Sequence, residues 1–168
     1  MKKYILSLLV LSVIFSSFSQ EKVNWLSWEE AMKKNETENR LIFIDVYTDW
    51  CGWCKVMDKK TFTDPEVVKQ LNEHFYAVKF NAEAKTPINF SNHEFKNTDP
   101  NGRRGTHELA IALLDQQMSY PSFVMLTSEY QRLHILKGFN DAPTMKKYFQ
   151  FYIDEKYKIP PTTQENGG

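Results

Sequence analysis

Two cysteines, Cys51 and Cys54, are the only ones in the 168-residue chain, and just two residues separate them. Thiols at this spacing can hold half of a metal site, anchor a haem, or carry electrons by forming and breaking a disulfide. A purely structural cross-link is a poor reading, because the stabilisation from a disulfide grows with the loop it closes and this loop is short. Exported proteins stapled for stability also spread their cysteines along the chain. Zinc normally takes four ligands. No second cysteine pair exists, and His74, His93, His107 and His134 lack zinc-like spacing. Covalent haem attachment needs a histidine directly after the second cysteine, where Lys55 stands. Thiol–disulfide exchange is therefore the leading chemistry. Two alternatives stay open: a Cu(I) carrier using both thiolates, and a partner-binding module with little redox turnover.

The pair must be positioned by the elements around it. Leu41 to Tyr47 is a near-continuous apolar run rich in β-formers, which predicts a strand buried on both faces. Thr48-Asp49-Trp50 then turns into Cys51, and the stretch from Cys51 to about Lys60 reads as a helix. At a helix start Cys51 meets unsatisfied backbone N–H groups and the positive end of the dipole, both of which stabilise an anion. Such settings lower a cysteine pKa from about 8.5 into the range of about 3.5 to 7.5. Cys54, three residues on, shares that helix face and is expected to be the more buried thiol. It is placed to resolve a mixed disulfide between Cys51 and a substrate.

Further elements follow from local pattern. Val23 to Leu26 reads as a short strand, and Ser27-Trp28-Glu29-Glu30 has the form of a capping box opening a helix to about Lys34. Thr63 is the expected cap of a helix running through Pro65 to about His74. Phe75 to Phe80 reads as a strand, Ile88–Phe90 and Glu94–Lys96 as a small hairpin, and Thr106 as the cap of a helix from His107 to about Gln117. Ser122–Leu126 and Arg132–Leu136 read as an antiparallel pair, followed by a helix from Ala142 to about Lys156. Alternating β and α elements followed by a hairpin and a helix predict an α/β fold with a mixed sheet.

Composition narrows the function classes. The chain is 42% hydrophobic and 14% aromatic with a formal net charge of zero, which suits a packed domain and argues against a nucleic-acid partner. Lys2 and Lys3, the apolar stretch to Phe15 and then Ser17-Phe18-Ser19 read as a signal peptide over residues 1–19. Residues 20–157 would form one domain and 158–168 a flexible tail. Export to the periplasm or beyond is the corresponding expectation. Arg103-Arg104 reads as an exposed loop pair. No P-loop, dinucleotide fingerprint or hydrolase elbow occurs. Electrons are therefore expected from another protein or a small thiol, with no cofactor and no metal.

The segment Trp50-Cys51-Gly52-Trp53-Cys54-Lys55, following a buried strand, resembles the Trp-Cys-Gly-x-Cys-Lys signature of the thioredoxin family. The resemblance runs from about Trp25 to Tyr152. It implies a thioredoxin fold, a central mixed sheet flanked by helices, with an enlarged connection after the third strand. By the same resemblance Asp45 is the buried acid that takes the proton of the second cysteine, and Lys79 is its lysine partner. Burial should raise the pKa of Asp45, with Lys79 moderating the rise. Pro121, after Tyr120, corresponds to the cis-proline that faces the disulfide. Trp50, Gly52, Trp53, Tyr120 and Pro121 are the expected client contacts. The surrounding motifs resemble exported thioredoxin-like domains, such as the C-terminal domain of DsbD-type proteins. That likeness implies a monomeric protein-disulfide reductase, exchanging its dithiol with client disulfides and recharged by a membrane thiol-electron donor. Two departures stand out: Trp53 occupies the place of thioredoxin's proline, and the connection from Asn81 to Gly105 is longer than thioredoxin's.

Overall fold

The computed structural model describes residues 21–102 and 105–158. The expected leader, the tail beyond residue 158 and the Arg103-Arg104 pair lie outside the described residues. Ser27 caps α1 (Trp28–Asn35) with both halves of the capping box: its side chain accepts from Glu30 N, and the Glu30 carboxylate accepts from Ser27 N. The apolar run forms β1 (Leu41–Tyr47), followed by α2 (Gly52–Lys60), α3 (Pro65–His74) and β2 (Phe75–Asn81). A small hairpin, β3 (Ile88–Phe90) and β4 (His93–Phe95), precedes α4 (Glu108–Leu113). The chain then runs through β5 (Ser122–Leu126), β6 (Arg132–Lys137) and α5 (Ala142–Ile153) to a closing turn of 3-10 helix at Lys156–Lys158.

The main sheet has the order β2-β1-β5-β6, with β1 parallel to β2 and antiparallel to β5. Parallel pairing of consecutive strands requires a crossover, which α2 and α3 provide. Because β1 is interior, its two faces feed separate apolar cores. Ile42, Ile44 and Val46 pack with Trp28 and Ala31 of α1 and Leu109 and Leu113 of α4. Phe43 packs with Met57 of α2, Leu71 of α3 and Phe149 of α5. Side chains alternate along a strand, so Asp45 shares the face of Phe43, toward α2. That alternation puts the one acid of β1 beneath the helix that carries the cysteines.

Several expectations need correction. Val23–Leu26 is not a strand. Only Leu26 bridges to Val78, so the long connection follows the second strand, not the third. Asp64, not Thr63, caps α3, accepting from Glu66 N and Val67 N. Asp is the stronger N-cap and stands next to Pro65 at the first helical position, while the Thr63 hydroxyl donates back to Lys59 O. His107, not Thr106, caps α4: its Nδ1 accepts from Leu109 N at 3.2 Å. Burial lowers the pKa of His107 and keeps the imidazole neutral, so Nδ1 is free to accept. The helix stops at Leu113 because Asp115 and Gln116 take positive φ of 53° and 60°. The last helix likewise ends at Ile153, short of Lys156.

Candidate active site

Cys51 begins α2 by leaving helical geometry, with φ −69° and ψ 104°. Its Sγ accepts from Cys54 N at 3.1 Å, and its own N donates to Thr48 O. The two cysteines are joined as a disulfide, with their Cα atoms 5.3 Å apart. No acidic residue occupies the first turn of α2, so the positive end of its dipole is left uncompensated beside Cys51. On reduction that field favours the thiolate, the nucleophilic form. Both cysteines are buried, Cys54 marginally the more so. Cys51 is 4% exposed and Cys54 3%, because one bond ties both sulfurs under the same turn of chain.

Beneath α2, the sheet register sets Asp45 opposite Lys79. Lys79 Nζ donates to Asp45 Oδ2 at 2.6 Å and also meets the carboxylate of Asp58, on α2. The ammonium rests against the rings of Trp25 and Tyr47, each centred 5.0 Å away. Burial pushes the Asp45 carboxyl up to about 6, and the charge of Lys79 limits the rise. Burial opposes the charge on Lys79 too, but Asp45 and Asp58 outweigh it and raise its pKa. Among the described residues Asp45 Oδ1 has no hydrogen-bond partner. A buried carboxylate oxygen with a free lone pair is a competent proton acceptor at neutral pH.

Aromatic side chains rim the disulfide. Trp50 is 66% exposed; its Nε1 donates to Glu83 Oε1 at 3.0 Å, and its ring meets Tyr120 edge-on at 5.8 Å. Burial, with Glu83 adding, pushes the Tyr120 phenol up to about 12, so it stays neutral. The Tyr120–Pro121 bond is cis, and the Pro121 carbonyl accepts from Gly138 N at 2.8 Å. Gly138 takes φ +79°, which suits glycine. The next residue, Phe139, is 42% exposed and lies 5.3 Å from the ring of Trp53, itself 61% exposed. Gly52 borders open space. Trp50, Gly52, Trp53 and the Tyr120–Pro121 segment thus border one surface around the disulfide.

The family model described as Thioredox_DsbH, protein of unknown function, DUF255, matches residues 10–150. The chain belongs to this family. A solved DsbH oxidoreductase resembles this Thioredox_DsbH member with a TM-score of 0.54 at 18% identity, covering 85% of this chain and 90% of that one. A thioredoxin from Thermus thermophilus gives a TM-score of 0.58 at 16% identity, over 79% and 88%. These likenesses establish the thioredoxin fold. By sequence, spermatogenesis-associated protein 20 of Homo sapiens is 34% identical over 67 residues, which is 39% of this chain and 8% of that protein. The thiol:disulfide interchange protein DsbD of Photorhabdus laumondii is 40% identical over 50 residues, 30% of this chain and 8% of its own length. The match spans under a tenth of the length of these relatives. The Thioredox_DsbH chain is accordingly a thioredoxin-fold, disulfide-oxidoreductase-like protein with a Cys51-x-x-Cys54 pair.

Three residues of this Thioredox_DsbH site escaped the sequence reading. Asp58 was within reach of it, since a residue four beyond Cys54 lies on the same helix face. Glu83 and Phe139 carried no such signal. Each reaches the rim through the path of a loop, which no periodicity encodes.

Proposed function

We propose that this protein is an exported protein-disulfide reductase, acting as a monomer in the periplasm or beyond, with residues 20–157 as its working domain. The observation that carries this reading is the pairing of a cysteine at the N-cap of α2 with a buried carboxyl of raised pKa, Asp45, on the strand beneath that helix. In the reduced protein the Cys51 thiolate attacks one sulfur of a client disulfide. The client S–S bond breaks, a Cys51–client mixed disulfide forms, and the departing client thiolate takes a proton from solvent. Cys54 then gives its proton to Asp45, and its thiolate attacks Cys51 Sγ. The mixed disulfide breaks, the second client thiolate leaves, and the Cys51–Cys54 disulfide closes. The client gains two electrons and the protein loses two. Lys79 keeps Asp45 ionisable despite its burial. Trp50, Gly52, Trp53, Tyr120 and Pro121 receive the client chain. An external dithiol, supplied by a membrane thiol-electron donor, returns the protein to the reduced state. No resident cofactor takes part.

Thiol-dependent reduction of insulin tests this reading. Wild type is expected to turn insulin over, Cys51→Ser to be inactive, and Cys54→Ser to accumulate a mixed disulfide. Equilibration with glutathione fixes the direction of flow. A potential near that of DsbA, about −120 mV, would overturn the reductase assignment.

A further inference from the structure

Glu83 lies two residues past β2, at the start of the long connection, and its backbone is held from several sides. Its N donates to Asn81 Oδ1 at 2.8 Å, and Ala82 beside it donates to Tyr47 O at 2.8 Å and accepts from His107 N at 2.7 Å. The carbonyls of Glu83, Ala84 and Gly105 all accept from Asn97 Nδ2, at 3.2, 2.9 and 2.9 Å. Asn97 is buried, and its Oδ1 accepts from Asp99 N and from Lys85 Nζ. Lys85 Nζ also donates to Asp99 O and Gly102 O. One amide side chain thus gathers the two ends of the connection. The Glu83 carboxylate that emerges from this knot accepts the indole N–H of Trp50, the residue before Cys51.

We propose that Glu83 is a positioning residue for client binding: it fixes the Trp50 indole edge-on against Tyr120, and the long connection, tied at Asn97, serves to hold Glu83 in place. This rests on the redox reading above. Trp50 is largely exposed, and among the described residues its side chain makes no hydrogen bond or ring pair beyond those to Glu83 and Tyr120. A client that covers Trp50 strips water from its N–H, and a buried donor without an acceptor is costly. Glu83 supplies that acceptor from within the protein. The client therefore needs to offer only an apolar or aromatic side chain beside its disulfide, with no hydrogen-bond acceptor.

Steady-state reduction of insulin and of hydroxyethyl disulfide, which has no side chain to lay on Trp50, tests the proposal. Glu83→Ala is expected to raise the ratio of the insulin KM to the hydroxyethyl disulfide KM about five- to hundred-fold, the span that leaving a covered donor without an acceptor covers. Glu83→Gln, which keeps an amide oxygen, restores the ratio. The Trp50 indole N–H resonance should move in the Ala variant and not in the Gln variant. An unchanged ratio, or an equal loss on both substrates, overturns the role of Glu83. Wild type that reduces neither disulfide overturns the redox reading and this one with it.

Discussion

Asp45 and Lys79 stand opposite each other in the parallel register of β1 and β2, with Lys79 Nζ 2.6 Å from Asp45 Oδ2. The same ammonium meets Asp58 on the helix that carries Cys54. A carboxyl in this position is pulled two ways: burial opposes its ionisation, and the lysine permits it. Its pKa of about 6 leaves it ionised at neutral pH yet basic enough to take a thiol proton. Both the rate of the redox cycle and the stability of the fold should register that balance.

The rate of resolution is the more direct of the two. Asp45→Asn is expected to slow breakdown of the Cys51–client mixed disulfide at least about ten-fold, a modest share of what a positioned base supplies. In wild type the rate should rise with pH through about 6 as Asp45 ionises. The variant should lack that rise, and Asp58→Asn should move it to lower pH by removing a like charge. Stopped-flow measurement across pH decides the matter, and equal rates in wild type and Asp45→Asn would remove the acid from the mechanism.

Stability should respond to the same group in a set direction. Between 3.8 and about 6 the folded protein holds a proton on Asp45 that the unfolded chain has released. The stabilisation linked to that proton is complete below 3.8 and is lost as pH rises through about 6. Near pH 8 the cost of burying the charge is of the order of 1–3 kcal/mol, since each tenfold gain in proton affinity on folding corresponds to about 1.4 kcal/mol. Oxidised Asp45→Asn should therefore exceed wild type in stability by about that amount near pH 8, with the gap closing toward about pH 4. Lys79 keeps Asp58 as a partner in the variant, so no lone ammonium is left behind. Denaturant titrations at the two pH values test this, and a variant less stable than wild type near pH 8 contradicts it.

His107 carries the opposite sign. Burial lowers its pKa from 6.5, so the unfolded chain binds a proton first as pH falls. Its contribution is present above 6.5 and is lost as pH falls toward the lowered folded value. Protonation would also take Nδ1 away from Leu109 N. His107→Asn keeps a capping oxygen and should flatten the acid-side decline in stability relative to wild type. Parallel slopes for the two proteins between about pH 7 and pH 5 would refute this assignment.

Phe139 should matter for protein clients. Its ring lies against Trp53 on the exposed surface beside the disulfide. Such aromatic contacts are worth about 0.5–1.5 kcal/mol, so Phe139→Ala should raise the insulin KM about two- to ten-fold. The thermal midpoint should move little, because the side chain is half in solvent already. A KM equal to that of wild type would place the client surface elsewhere.

Much of this protein is legible from its residues alone, because the deciding physics is local. An uninterrupted β-rich run specifies β1, and a cysteine pair at the following helix start specifies the reactive centre. Ser27 and Glu30 specify a cap that needs nothing beyond four residues. Asp64 was likewise open to a local argument, as the stronger capping residue directly before Pro65. The cap of α4 was not, because His107 accepts only where burial keeps its imidazole neutral, and sequence could not supply that burial.

The resemblance paired Lys79 with Asp45, and the register of two strands brings them together; only the tertiary structure decided which other distant groups share the site. Lys79 meets Asp58 because α2 packs over that register. Glu83 reaches Trp50 across 33 residues because Asn97 draws the long connection together. Phe139 reaches Trp53 because Gly138 turns with its N–H on Pro121. Hydrophobic periodicity reports which face of an element is buried. It does not report where the ends of two loops meet, and the rim of this disulfide is made where loops meet.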